Sequence, residues 1–282
     1  MKFDKINSFA KINLSLNVIK RLSNNYHKIE SLITFINLSD KIYIRRTKNK
    51  KHSIFFTGQF SKGISKINTI SNLLKILEKK KLLKKKKFEI KIIKNIPQKS
   101  GMGGGSMNAA SILKYFSQKK IIKITKKEIN KIAYFIGADV VLGLKKKNTI
   151  LFKNKSIKRV KFKTKINVLL VKPNVGCSTK FIYSKVKNYS KQKYKYKNNF
   201  FFTKKYLINS KNDLEEIVLK KYPKIQILKK FLLALPGVFF VRMTGSGSTL
   251  VAYFKSKKVL DVAIRIFKKQ YSNYWFIKSK TI

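Results

Sequence analysis

A cluster of glycines that opens straight into an apolar-faced helix constrains this chain more than any other stretch. It lies in Pro97–Phe116, PQKSGMGGGSMNAASILKYF, where Gly101, Gly103, Gly104 and Gly105 fall within five positions. Without a Cβ the backbone can take positive φ there and come close to a bulky ligand. Ala109, Ile112, Leu113 and Phe116 recur at i, i+3, i+4 and i+7, which predicts a helix fixed by one face against a core. Its first turn then points at solvent, with Ser106 placed to cap it. Free amides, the positive end of the helix dipole and a side-chain-free approach together make an anion site, best suited to phosphate. The strand-like run Phe88–Ile93 comes just before, so the local order is strand, loop, helix.

The spacing excludes two commoner glycine loops. A P-loop needs Lys followed by Ser or Thr after its last glycine, and here Ser106 and Met107 follow. A dinucleotide fingerprint needs a first βαβ unit with an acidic residue ending its second strand, and none is evident.

Elsewhere the hydrophobic period switches repeatedly between two and 3.6. Residues 8–19 alternate around Ile12, Leu14, Leu16 and Val18 as a half-buried strand, with Lys11 and Asn13 sharing a face that simple solvation would satisfy. A turn at 23–25 leads past Tyr26 and His27 into two strand-like runs. Residues 68–81 and 126–136 read as amphipathic helices, the second stopping at Gly137. Asp139 follows among Ala138, Val140, Val141 and Leu142, surroundings in which an acid is costly to bury unless it is paired or used. Strands are predicted at 149–152 and 165–171, and 185–205 reads as a long surface connection rich in Lys, Tyr and Asn. A helix starts at Asn212–Glu215, two strand-like runs flank Gly245 and Gly247, and a terminal helix places Val259, Val262, Ala263, Ile266 and Phe267 on one face before a last strand at 274–277. Strands and helices alternating in both halves imply an α+β, two-lobed protein, divided here into 1–155 and 156–282.

Composition narrows the function class. The 282 residues are 44% hydrophobic, enough for a sizeable core. The lone Cys177 cannot form an internal disulfide, so a reducing, cytoplasmic setting is expected. The longest apolar run, around 231–241, is interrupted by Pro236 and Gly237 and is too short for a bilayer. The amino-terminal lysines stand where a signal peptide would need its apolar stretch. The formal charge of +56 invites a nucleic-acid role. Its excess is dispersed lysine with little of the arginine that reads phosphates and bases, and it travels with Ile, Asn and Phe, as drift toward AT-rich codons produces.

Taken together, Ala10–Leu14 (AKINL), Tyr26–His27 after Asn25, the loop from Pro97 through Asn108 and its two alanines, Gly137–Val140 (GADV) and Met243–Ser248 (MTGSGS) resemble, in order and spacing, the GHMP kinases over nearly the whole chain. The resemblance implies a nucleotide-binding lobe of a type shared with a ribosomal-protein domain, and a ferredoxin-like second lobe. It implies an ATP-dependent small-molecule kinase using Mg2+ with the nucleotide, and the AKINL and Tyr-His pieces point to an acceptor that is a cytidine-diphosphate methylerythritol. Homoserine- or mevalonate-type acceptors, or a basic RNA-binding protein, are the alternatives.

Carried over by position, Pro97, Gly101, Gly103, Gly104, Gly105, Ser106 and Asn108 would wrap the phosphates, and Asn68 and Lys94 would hold the adenosine end. Asp139 would be the general base, with Lys11 beside it stabilising transferred charge. Tyr26, His27 and Tyr183 would grip cytidine, Asn13 would orient the methylerythritol, and Gly245 and Gly247 would approach it. The chain departs from the family pattern at Val141, where proline is usual, at Met107 in the usual Ser-Ser-Asn, and at Asn25 in place of glycine. The metal ligands have no sequence signature. A monomer or weak homodimer is expected, with no membrane and no specific nucleic-acid partner.

Overall fold

The computed structural model describes residues 2–24, 26–160, 165–195 and 200–282; Asn25 lies outside them. The elements in order are β1 (Asp4–Arg21), β2 (His27–Thr47), β3 (Ser53–Thr57), α1 (Thr69–Lys79), β4 (Lys87–Ile93), α2 (Gly104–Gln118), α3 (Lys126–Ile136), α4 (Val140–Gly143), β5 (Asn148–Leu151) and β6 (Ile157–Val160). There follow β7 (Asn167–Lys172), α5 (Thr179–Ser184), α6 (Lys204–Asn209), α7 (Glu215–Lys221), α8 (Pro223–Ala234), β8 (Val238–Met243), β9 (Leu250–Phe254), α9 (Lys257–Gln270) and β10 (Trp275–Lys280). The chain forms two compact units, each drawn from separate stretches of sequence. The first holds Met1–Lys11, Leu38–Gln98 and Gly103–Lys146; the second holds Ile12–Asn37, Lys99–Met102 and Lys147–Ile282.

In the first unit the end of β2 pairs antiparallel with β4, and β3 adds to β4 in parallel. Helix α1 starts from a capping box in which Asn68 and Ser71 exchange side-chain-to-backbone bonds. Leu73, Leu77, Ile112, Leu113 and Phe116 are buried, and Phe116 lies 4.7 Å from the Phe88 ring, which seats α2 on β4. The face of α2 read from its 3.6-residue period is the face the core receives.

In the second unit the start of β2 pairs with β5, which pairs with β6. The other sheet, ordered β10-β7-β9-β8, is antiparallel at every pairing. Its strands and helices follow the order β-α-β-β-α-β, the ferredoxin-like arrangement. Leu169, Val171, Leu228, Leu250 and Phe267 share its core.

Several expectations need correction. Residues 27–47 form one strand: Glu30, Ser31, Thr34 and Asp40 are buried within it, and the exposed Asn37 does not turn the chain. The polar face of β1 is covered: Lys11, Asn13, Ser15 and Asn17 are all buried. The stretch 185–205 is anchored by aromatics, since Tyr194, Phe201 and Phe202 are buried; its residues 196–199 lie outside the described ones. The inward face of α9 is Leu260, Ala263 and Phe267, and Val262 and Ile266 are exposed. A period fixes the width of an apolar stripe but leaves its direction open by one position when β-branched residues flank it.

Candidate active site

Helix α2 begins at Gly104, and its N-cap is Gly103 at φ 68°, with no side chain bonded to the first turn. Ser106 is therefore the third residue inside the helix and does not cap it, a correction to its expected place. A glycine in the left-handed region turns the chain without supplying an acceptor, so the first-turn N–H groups receive no side-chain cap. A Cβ on Gly103 would sit 3.1 Å from Lys11 Cε and 3.7 Å from Asp139 Oδ2. A Cβ on Gly104 would meet Ile96 Cγ2 at 3.1 Å and Lys94 Nζ at 3.3 Å. Gly105 is held from below, its carbonyl accepting from the Thr69 hydroxyl at 2.8 Å.

Lys11 Nζ lies 3.4 Å from Asp139 Oδ2. The Lys11 side chain is 6% exposed, whereas that of Asp139 is 42% exposed. The ammonium is thus sheltered while the carboxylate stays open to a ligand. Asp139 owes its place to the break after α3: Gly137 ends that helix, its carbonyl accepts from Val140 N–H, and α4 starts one residue beyond Asp139. Val141 is buried in α4.

Asn68 and Lys94 have side chains already engaged. Asn68 Oδ1 accepts from the Ile70 and Ser71 amides. Lys94 pairs with Asp40, a fully buried carboxylate that sequence reading passed over. Asn108 Nδ2 also donates to Asp40, at 2.9 Å. A cleft of about 450 Å³ between β3 and α1 is lined by Ile54, Phe56, Ile64, Asn68 and Leu74, among others.

In the second unit the Thr244 hydroxyl accepts the Asn13 N–H at 3.0 Å and donates to the Gly101 carbonyl at 3.3 Å. Gly101 and Gly245 pack backbone to backbone: a Cβ on Gly101, at φ 73°, would fall 2.0 Å from the Thr244 carbonyl oxygen, and one on Gly245 would fall 3.0 Å from the Gly101 oxygen. Asn13 Nδ2 donates to Ser31 at 2.8 Å. Asn212 ties down the β8–β9 turn by donating to the Met243 and Gly245 carbonyls at 2.9 and 2.8 Å. A Cβ on Gly247 would meet Met243 Sδ at 2.8 Å and Cys177 Sγ at 3.3 Å.

His27 and Tyr183 come together, with ring centroids 5.1 Å apart. Burial, with help from Arg21, lowers the His27 pKa below its ordinary value, and its buried Nε2 has no hydrogen-bond partner. Tyr26 is 73% exposed. Glu30, fully buried three residues along β2 from His27, accepts from Asn17 Nδ2 at 3.1 Å and from the Lys193 amide at 2.7 Å, which straps the 185–195 stretch to β2. Among the described residues no group of His, Cys, Asp and Glu is gathered in a way that could hold a metal by itself. Nor is any described helix long and apolar enough to cross a membrane.

Comparison with known proteins identifies the family and the fold. The GHMP kinases N-terminal domain matches residues 68–146, and the GHMP kinases C-terminal domain matches residues 204–273. A 4-diphosphocytidyl-2-C-methyl-D-erythritol kinase of Pelagibacter ubique is 55% identical over 99% of both chains, and one of Petrotoga mobilis is 33% identical over 87% of this chain and 96% of its own. Among solved structures, a 4-(cytidine 5'-diphospho)-2C-methyl-D-erythritol kinase superposes with a TM-score of 0.80 at 19% identity, covering 99% of each chain. A homoserine kinase of Cytophaga hutchinsonii gives 0.70 at 16% identity, covering 99% of this chain and 95% of its own. At identities this low the superpositions establish the fold, while the Pelagibacter relative spans the chain end to end. The chain belongs to the GHMP kinases, in the family of the 4-diphosphocytidyl-2-C-methyl-D-erythritol kinases.

Proposed function

We propose that the protein transfers the γ-phosphoryl group of ATP to the 2-hydroxyl of 4-diphosphocytidyl-2-C-methyl-D-erythritol, in the non-mevalonate route to isoprenoid precursors. The observation that carries this reading is the packing of the Lys11–Asp139 pair against Gly103, at the uncapped start of α2. A proton acceptor, a cation and an anion cradle stand within a few ångströms of one another, as phosphoryl transfer requires.

Each part has a role. The first-turn amides of α2, with Gly103, Gly104, Gly105 and Ser106, receive the phosphates through backbone N–H and the helix dipole. Asp139 takes the proton from the acceptor hydroxyl as the oxygen attacks phosphorus, and Lys11 compensates charge on the transferred group. Asn68 borders the adenosine end through the cleft it lines, and Lys94 does so from beside Gly104. Mg2+ fits as a companion of the nucleotide, because phosphate and water oxygens supply most of its ligands and the Asp139 carboxylate beside Gly103 is exposed; it would supply charge neutralisation.

On the acceptor side, the unpartnered Nε2 of a neutral His27 suits a cytosine edge or ribose hydroxyl, with Tyr183 and Tyr26 offering ring faces. Asn13, held by Ser31 and Thr244, orients the methylerythritol, and Gly245 and Gly247 approach it. We further place the evolutionary domain boundary near 155/156, and expect a cytoplasmic monomer or weak homodimer without a specific nucleic-acid partner.

The test is product identification by mass spectrometry after incubation with ATP, Mg2+ and a panel containing the cytidine acceptor, homoserine and mevalonate. A single phosphate gained by the cytidine compound alone is the expected result. Phosphorylation of homoserine or mevalonate in its place would refute the acceptor assignment.

A further inference from the structure

Asp40 is fully buried, and no step of the proposed reaction uses it. Its Oδ1 accepts from the Asn95 and Ile96 amides, each at 2.8 Å, and its Oδ2 accepts from Asn108 Nδ2 at 2.9 Å and from the Lys94 ammonium. Asn95 and Ile96 are the last residues before Pro97, where the glycine loop starts; Asn108 sits in the second turn of α2, where the loop has ended. One carboxylate therefore bonds both ends of the loop.

A run of glycines has more backbone freedom to lose than any other sequence, and a ligand that orders it must overcome that loss. Fixing the two ends beforehand removes part of it. Lys94 makes such a staple compatible with an anion site, because its ammonium, beside Gly104, offsets the charge of a carboxylate that would otherwise repel phosphate. We propose that Asp40 is a positioning residue for the nucleotide, stapling the chain that leads into the glycine loop to the helix that leads out of it, so that the loop amides meet the phosphates already arranged. The inference rests on the reading of this loop as the ATP cradle.

The experiment compares Asp40→Ala with Asp40→Asn by calorimetric titration of ATP without acceptor, and by steady-state KM for each substrate. Asp40→Ala removes every acceptor atom and should weaken ATP by roughly 10–100-fold, the scale on which small displacements of an aligned site are felt, while the acceptor KM stays unchanged. Asp40→Asn keeps an oxygen for the Asn95 and Ile96 amides, and Asn108, whose Oδ1 has no partner, can turn its own amide to accept from the new one; both variants take the carboxylate from Lys94, so the difference between them isolates the staple. Its loss should stay below about fivefold, the difference between a charged and a neutral hydrogen bond.

Equal ATP affinity in wild type and Asp40→Ala, or equal losses in the two variants, would overturn the inference while leaving the kinase reading intact. A wild-type chain that binds no ATP would overturn both. Should Asp40→Ala fail to fold, Asp40→Glu decides: it keeps the pairing with Lys94 but displaces the carboxylate by one methylene, and should still weaken ATP by roughly tenfold. Undiminished affinity in that folded variant would equally overturn the staple.

Discussion

At the scale of single residues, the division of exposure within the Lys11–Asp139 pair decides what the acid can do. A carboxylate 42% open with an ammonium at 3.4 Å is reachable and oriented, whereas a fully buried acid such as Asp40 is committed to its donors. Asp139→Asn keeps the shape and removes the proton acceptor, so kcat should fall by roughly 10²–10⁴-fold with ATP affinity little changed. Near-normal turnover in a rapid-quench assay would show that the transfer needs no base at this position. Tyr26 is a second case, since a ring 73% exposed contributes little to the core and its loss should leave the melting temperature in place. Tyr26→Ala should raise the KM for the cytidine substrate severalfold, in line with the roughly 1–3 kcal/mol of a base stacked on an aromatic, and Tyr26→Phe should be nearly silent. An alanine variant that lost ATP binding and kept its acceptor KM would remove Tyr26 from the cytidine pocket.

At the scale of elements, the helix ends record the lysine drift. Helix α1 closes with Lys81 N–H bonded to the Glu78 carbonyl and Leu82 N–H to that of Leu77; α2 closes identically, with Lys120 to Ser117 and Ile121 to Phe116. Both are Schellman endings, in which the residue past the cap takes a left-handed conformation that favours glycine. Here lysine occupies it, at φ 54° in Lys81 and 53° in Lys120. Lys81→Gly and Lys120→Gly should each stabilise the fold by roughly 0.5–1 kcal/mol, the left-handed penalty less the entropy glycine adds to the unfolded chain. That is a rise of about 2 °C in melting temperature each, additive because the sites are independent; a fall in both would mean that the lysine side chains are doing more than enduring the turn. The same elements show what sequence reveals. Helix α2 was legible because four apolar positions at a 3.6-residue period follow a glycine stop. The buried polar face of β1 was not, since alternation reads the same whether Asn13, Ser15 and Asn17 meet water or meet Ser31, Tyr194 and Glu30. Asp40, in Leu-Ser-Asp-Lys, looks like an ordinary turn acid, and its partner Lys94 is 54 residues away, a pairing no local pattern announces. Residues that act through backbone shape, such as the glycines, leave a local signature; those that act through a distant donor leave none.

At the scale of the whole molecule, a net +56 with only 11 acidic residues means that self-repulsion is carried into the folded state largely unopposed. Several of those acids, Glu30, Asp40 and Glu215 among them, are buried and spent on internal donors, which leaves fewer still to offset surface lysines. Repulsion between exposed charges reaches about 30 Å at 0.01 M salt and about 10 Å at 0.1 M, so it should weaken steeply over that range. The melting temperature should therefore climb as sodium chloride is added from low ionic strength and level off once the screening length falls below the spacing of neighbouring lysines. RNA should bind at low salt as any polyanion would, without sequence preference, and should be released over the same range because that affinity is counterion release. The two titrations test one idea, that the charge is dispersed and serves no site. A melting temperature indifferent to salt would show that the lysines are already neutralised by something bound. An RNA complex that discriminates between sequences and survives physiological salt would show that part of the charge is organised into a recognition surface, and the basic composition would then need a functional explanation in place of a compositional one.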